Sequence, residues 1–166
     1  MPIAQFEILP DSSRTWVYAA DRDLDEAGSG KLLREVDDYL KTWKAHGAPL
    51  TSARRWSENR FLTVAVDQRQ AGASGCSIDG LFRTLKALEP ALGVKVVTSG
   101  LIHFRGGDGA IRSVSREDFT ALAAAGEVDG DTQVFDLSVT TLGEWRARFA
   151  SRAADSWHKS LMATRA

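Results

Sequence analysis

Cysteine is nearly missing from this chain: Cys76 is the only one among 166 residues. That excludes an internal disulfide framework and any multi-cysteine zinc site. Prolines number four, and no Pro-rich, repetitive or low-complexity stretch divides the sequence. It reads as a single α+β domain over residues 1–166, a length that suits one domain. An excess of charge is absent too. Twenty-one Lys and Arg face 22 Asp and Glu, for a net charge of −1. Such a balance speaks against nucleic-acid binding driven by bulk charge. Long hydrophobic runs are lacking. The apolar segment Phe61–Val66, broken by Thr63, is far short of the roughly 20 residues that span a bilayer. The first ten residues have neither the basic start nor the apolar core of a signal peptide. The expectation is a cytoplasmic protein with no membrane partner, and a free thiol fits a reducing compartment.

What is present is a foldable composition, 43% hydrophobic and 26% charged, with five tryptophans. Thr15–Ala20 is β-branched and aromatic, which predicts a strand. Asp21–Gly30 reads as an acidic loop ending in Gly-Ser-Gly. Leu32, Leu33, Val36, Tyr39, Leu40 and Trp43 then recur at helical spacing, with Gly47 as the stop. Leu50–Trp56 and Arg60–Asp67 predict two strands around the Ser57-Glu58-Asn59 turn. A second helix is expected from Ser77, with Ile78, Leu81, Phe82, Leu85 and Leu88 on its apolar face. Gly100–Arg105 and Ala110–Val114 predict a hairpin around Gly106-Gly107-Asp108-Gly109. Ser115 with Asp118, and Thr141 with Glu144, have the spacing of helix-start capping boxes. Thr132–Phe135 adds a short strand between them. The first two-thirds therefore runs β-α-β-β-α-β, which predicts a ferredoxin-like core with an added hairpin strand and C-terminal helices.

Several blocks of this chain resemble a group of small bacterial proteins often catalogued as "ABC transporter ATPase". They are Trp16-Val-Tyr18, Trp43-Lys-Ala-His46-Gly47, Asn59-Arg-Phe-Leu62, Val66-Asp67, Ala73 through Asp79, Asp131-Thr-Gln-Val-Phe135 and Ser156-Trp-His-Lys159. Ser-Gly-Cys-Ser-Ile-Asp and Ser-Trp-His-Lys are the distinctive strings. The resemblance implies no established activity. Its catalogue label also fails on chemistry. A P-loop needs Gly-x-x-x-x-Gly-Lys-Ser/Thr. Around Gly28-Ser-Gly-Lys31, Asp25 stands where the first glycine belongs. Leu32 follows the lysine and offers no hydroxyl to Mg²⁺. An ATPase is not expected, and no other cofactor motif is present.

Gly72-Ala-Ser-Gly-Cys-Ser-Ile-Asp79 is the stretch that best fits chemistry. Cys76 falls at or just before a helix start, where free N–H groups and the helix dipole stabilise an anion or a thiolate. Gly72 and Gly75 permit close backbone approach. Ser74 and Ser77 can donate hydrogen bonds or cap the helix, and Asp79 partly opposes a bound anion. Ser74, Gly75, Ser77 and Asp79 are thus candidate ligand-binding residues, with an unknown small molecule or anion as partner. Against this stands a purely structural reading: a lone Cys as a small hydrophobe in a capped turn.

A nucleophilic Cys76 needs a base. The candidate is His158 of the terminal Ser-Trp-His-Lys, with His103 as the alternative. His46 is expected in the last turn of the first helix, where an imidazolium suits the helix C-terminus. The three histidines share no local ligand spacing, so no metal site is expected. Two other readings stay open. One is a non-catalytic module that binds a protein partner through a sheet face or the Trp157 segment. The other is RNA binding through Arg54, Arg55, Trp56 and Arg60, which the near-neutral charge makes the weakest.

Overall fold

The computed structural model describes residues 3–69, 71–98 and 100–162. In chain order its strands and helices are β1 (Arg14–Ala19), α1 (Glu26–Lys41), β2 (Lys44–Ala45), β3 (Ala48–Pro49), β4 (Thr51–Ser57), β5 (Phe61–Asp67), α2 (Gly75–Leu92), β6 (Leu101–Arg105), β7 (Ile111–Ser115), α3 (Arg116–Ala124), β8 (Gln133–Phe135), α4 (Leu142–Arg148) and β9 (Ala150–Arg152). The mixture is α+β. The chain forms two compact units. Unit 1 comprises Met1–Thr98 and Ser138–Ala147, and unit 2 comprises Ser99–Leu137 and Arg148–Ala166.

Unit 1 is built around β5. All seven of its residues are buried, because both faces of the strand are covered. Side chains alternate across a strand, so Leu62, Val64 and Val66 face one way. They pack with Leu32, Val36 and Leu40 of α1 and Leu81, Leu85 and Leu88 of α2. Ala65 faces the other way, into a smaller cluster with Phe6, Leu9, Ala53 and Leu142. This explains why β5 reads as a nearly unbroken apolar run rather than an alternation. The sheet has the order β1-β5-β4 and is antiparallel throughout. Glu58 and Asn59 take positive φ in the β4–β5 turn.

Two local expectations are corrected. Gly28-Ser-Gly30 is not a loop. Asp25 caps α1 by accepting from the Gly28 N–H at 2.7 Å, so the helix starts at Glu26 and absorbs both glycines. At its other end α1 stops at Lys41, before Trp43. His46 is therefore not in a last helical turn. It sits with Gly47 in the two-residue turn joining β2 to β3. Both residues have positive φ, 51° and 81°, as a type I′ hairpin turn requires. Gly47 is a turn glycine rather than a helix stop.

Unit 2 is a four-stranded antiparallel sheet of order β7-β6-β8-β9. Ile102 and Phe104 of β6 share a core with Phe119 of α3, Val128, Val134 and Ala153. Phe104 and Phe119 meet edge to face, their ring centres 5.5 Å apart. Ser115 caps α3 by accepting from the Asp118 N–H, at the spacing read from the sequence. A ferredoxin-like core would return Leu101–Arg105 to the free edge of β1. Here that strand pairs with β7 and β8 instead, while Arg14 of β1 bridges to Thr141. The edge of β1 is thus met by the segment before α4, where the Thr15 N–H donates to the Thr140 carbonyl at 2.9 Å.

Candidate functional site

The start of α2 is fixed by a reciprocal capping box. The Ser74 hydroxyl accepts from the Ser77 N–H at 3.2 Å, and the Ser77 hydroxyl accepts from the Ser74 N–H at 2.8 Å. Each serine thus satisfies a backbone donor of the other. The Ser77 hydroxyl also donates to the Ser74 carbonyl at 2.8 Å. The N–H groups of Gly75 and Cys76 are left without an acceptor among the described residues. They head an 18-residue helix, whose dipole adds to their attraction for negative charge.

The last turns of α1 and the residues just after it reach the same place. The Trp43 indole N–H donates to the Ser77 carbonyl at 2.9 Å. Tyr39 lies over Gly80, where even a β-carbon would come 2.1 Å from the phenol oxygen. Only glycine at position 80 leaves room for that ring. Immediately after Trp43, the chain turns back through the short β2–β3 hairpin. The result is a cleft of about 380 Å³. Ser74, Cys76, Ser77 and Arg83 line it from α2, and Lys44 and His46 from the hairpin.

Cys76 is exposed at this cleft. Of the other candidate ligand residues, Ser74 and Ser77 line it, while Gly75 adds its N–H at the helix start. Because α2 begins at Gly75 rather than Ser77, Asp79 lies exposed just past the first turn, and it is not among the lining residues. His158 belongs to unit 2. It is 1% exposed, stacked on Trp157 at 4.0 Å and edge-on to Phe119. Its Nδ1 is bonded to the Ser156 hydroxyl at 2.6 Å. Burial pushes its pKa down to about 4, against the attraction of Asp136 and helped by the repulsion of Arg116. His103 is equally committed: it is buried in β6, with Nδ1 bonded to the Ser113 hydroxyl at 2.7 Å. The histidine that lines the same cleft as Cys76 is His46.

Lys44 and Arg83 received no weight from the sequence. For Arg83 a signal existed: Cys76, Gly80 and Arg83 fall at i, i+4 and i+7, one stripe of a helix. For Lys44 it lay in the Trp43-Lys-Ala-His46-Gly47 block itself.

The other candidates are engaged within their own units. Arg54 makes a two-pronged bond to Asp37 at 2.8 and 2.9 Å. Arg55 pairs with Glu7 and lies over the Phe6 ring. Arg60 is buried and bonds Asp23 and the Asp21 carbonyl. Trp56 donates to the Ser29 hydroxyl. These residues do not form an open basic–aromatic surface. Trp157 is held by its N–H bond to Asp136 and by Arg116 over its ring. Asp67 is gripped by Arg69, whose hydrogen bonds hold its carboxyl below the usual carboxylate range. Among the described residues no group of three or more His, Cys, Asp and Glu could hold a metal ion, and no helix is long and apolar enough to cross a membrane. No family model, curated protein or solved structure matches this chain.

Proposed function

We propose that the cleft at the start of α2 binds a small anionic molecule. The observation that carries this reading is the make-up of its walls. Lys44, His46 and Arg83 converge there from two elements, and no carboxylate is among the lining residues. Arg54, Arg55, Arg60, Arg69 and Arg146 of unit 1 each have a carboxylate partner. Lys44 and Arg83 have none among the described residues. Like charges gathered without counter-ions repel one another, so a bound anion offsets that cost. The free N–H groups of Gly75 and Cys76 add directional donors.

In this reading Ser74 and Ser77 shape the helix start rather than touch the ligand. Asp79 limits how much negative charge the site accepts. Cys76 lies at the rim as an accessible thiol, and no role falls to His158. The order β1-α1-β4-β5-α2 supports describing unit 1 as a ferredoxin-like arrangement without its closing strand. The resemblance to the small bacterial family adds no activity, so the functional reading rests on the cleft.

Sulfate titration followed by amide chemical shifts tests it. The expected result is saturable shifts at Gly75, Cys76 and Ser77 that weaken in a Lys44→Ala/Arg83→Ala variant. Amides that stay unmoved, or shift equally in the variant, overturn the reading.

A further inference from the structure

We propose that two copies of this chain pair along the outer edge of β4, joining their three-stranded sheets of unit 1 into one continuous sheet. No residue of this edge lines the cleft. β4 is an outer strand of the order β1-β5-β4, and it runs in unbroken register with β5 from Thr51 to Ser57. Backbone groups of a strand point alternately to its two sides. The Ala4 N–H donates to the Ser52 carbonyl at 2.8 Å, so Ser52, Arg54 and Trp56 turn their backbone groups away from β5. Ala4 occupies the Ser52 carbonyl. The N–H and carbonyl groups of Arg54 and Trp56 have no partner among the described residues. The opposite edge of the sheet is held at both ends within unit 1. There the Thr15 N–H donates to the Thr140 carbonyl, and the Ala19 carbonyl accepts from the Thr98 hydroxyl at 3.1 Å. An unpaired strand edge is a template for another strand, which proteins often block with Pro, Lys or a bulge. Thr51–Ser57 has none of these.

The symmetry of the open groups selects a second copy as the occupant. Strands related by a two-fold axis run antiparallel, and two residues in a hydrogen-bonded pair exchange both bonds. With the axis at Arg55, Arg54 faces Trp56 of the second copy, and Trp56 faces the second copy's Arg54. Every open N–H and carbonyl of both residues is then used. An axis at Arg54 would set Trp56 against Ser52, whose carbonyl is taken, and an axis at Trp56 would set Arg54 against Glu58 in the β4–β5 turn. The side chains agree with this register. Arg54 and Trp56 share one face of the strand, so the cation of each copy lies beside the ring of the other, a favourable pair. Both side chains are half-buried and still have surface to cover. Arg55 faces its own copy, but each guanidinium is matched by Glu7 and lies over its own Phe6 ring at 4.8 Å. A net charge of −1 adds little repulsion between the copies.

Amide exchange of the natural protein tests the pairing, because the Arg54 and Trp56 N–H groups have no acceptor among the described residues. Their exchange should slow by about fourfold between about 20 µM and about 1 mM protein, for a dissociation constant of about 100 µM, a weak contact suited to two short strands. Sedimentation over the same range should show the matching rise in mass. Register is read from single cysteines in a Cys76→Ser background. Across the axis Arg55 faces itself in a non-hydrogen-bonded pair, with α-carbons about 4.5 Å apart, within disulfide range. Arg55→Cys should therefore cross-link two copies in a thiol–disulfide buffer. Ser57→Cys, which faces Ala53 of the second copy, should cross-link at least about tenfold less. Exchange that ignores concentration, with the mass of one chain throughout, overturns the proposal and leaves the edge to a strand of another protein. A dimer whose Arg54 and Trp56 amides still exchange freely overturns it too, as does equal cross-linking of the two cysteine variants.

Discussion

Lowering the pH should destabilise unit 2 through one residue, His158. Its imidazole is buried between Phe119 and Trp157 and bonded to Ser156. Burial lowers its pKa from 6.5 to about 4. The unfolded chain therefore takes up the proton first. Stability from this group is fully present above pH 6.5, falls as pH drops below 6.5, and stops falling below about 4. The full difference amounts to about 3 kcal/mol. Linkage gives a loss of about 1.4 kcal/mol at pH 5.5 and about 2.5 kcal/mol at pH 4.5. The perturbation is His158→Gln, which has no proton to gain. Urea unfolding would be followed through the amide signals of β6 and α3, which report unit 2 itself. At pH 7 the variant should be less stable, because it loses the ring's packing. Between pH 7 and pH 4.5 it should lose about 2.5 kcal/mol less than the natural protein. Direct titration of the His158 ring signals should show a midpoint near 4. A midpoint near 6.5, or parallel pH slopes for the two proteins, refutes the reasoning.

Four further outcomes follow from the geometry. Phe119→Ala empties a fully buried site between Phe104 and His158 and should cost about 3–5 kcal/mol by denaturant unfolding. Ser74→Ala removes half of the capping box of α2 and should cost about 1 kcal/mol, with amide exchange quickening first at Gly75–Ile78. Gly80→Ala places a methyl group against the Tyr39 hydroxyl and should cost about 1–3 kcal/mol. A double-mutant cycle with Tyr39→Ala should recover most of that loss, and additive losses would show that the two do not touch. Cys76 should react with iodoacetamide in the folded protein, since it is exposed, and a requirement for denaturant would contradict its placement.

Local chemistry was the readable part of this fold. The Ser115–Asp118 cap and the Ser74–Asp79 helix start each depend on residues a few positions apart, and both could be anticipated. Two errors came from glycine. Gly28 and Gly30 looked like a loop because glycine weakens helices, but Asp25 caps the chain just ahead of them. Gly47 looked like a helix end, yet its positive φ belongs to a hairpin. The pairing of Leu101–Arg105 was harder. Several antiparallel edges suit the same short apolar strand, and only contacts far along the chain choose among them. The site divides in the same way. Its Ser-Gly-Cys-Ser string could be read, because a helix start is local. The approach of Lys44 and His46 to Arg83 depends on α1 packing against α2, with nearly 40 residues between them in sequence.

The far face of β5 has a consequence for synthesis. Leu142, which covers that face together with Phe6 and Leu9, lies beyond the Ser99–Leu137 segment. On the ribosome that segment must be made before Ser138–Ala147 emerges. At about 5–20 residues per second, the interval lasts roughly two to eight seconds. Throughout it, β1, α1, β4, β5 and α2 can assemble, but one side of their sheet remains incompletely covered. The nascent chain is thus most vulnerable to misassociation late in translation, when the sheet already exists and its last cover does not.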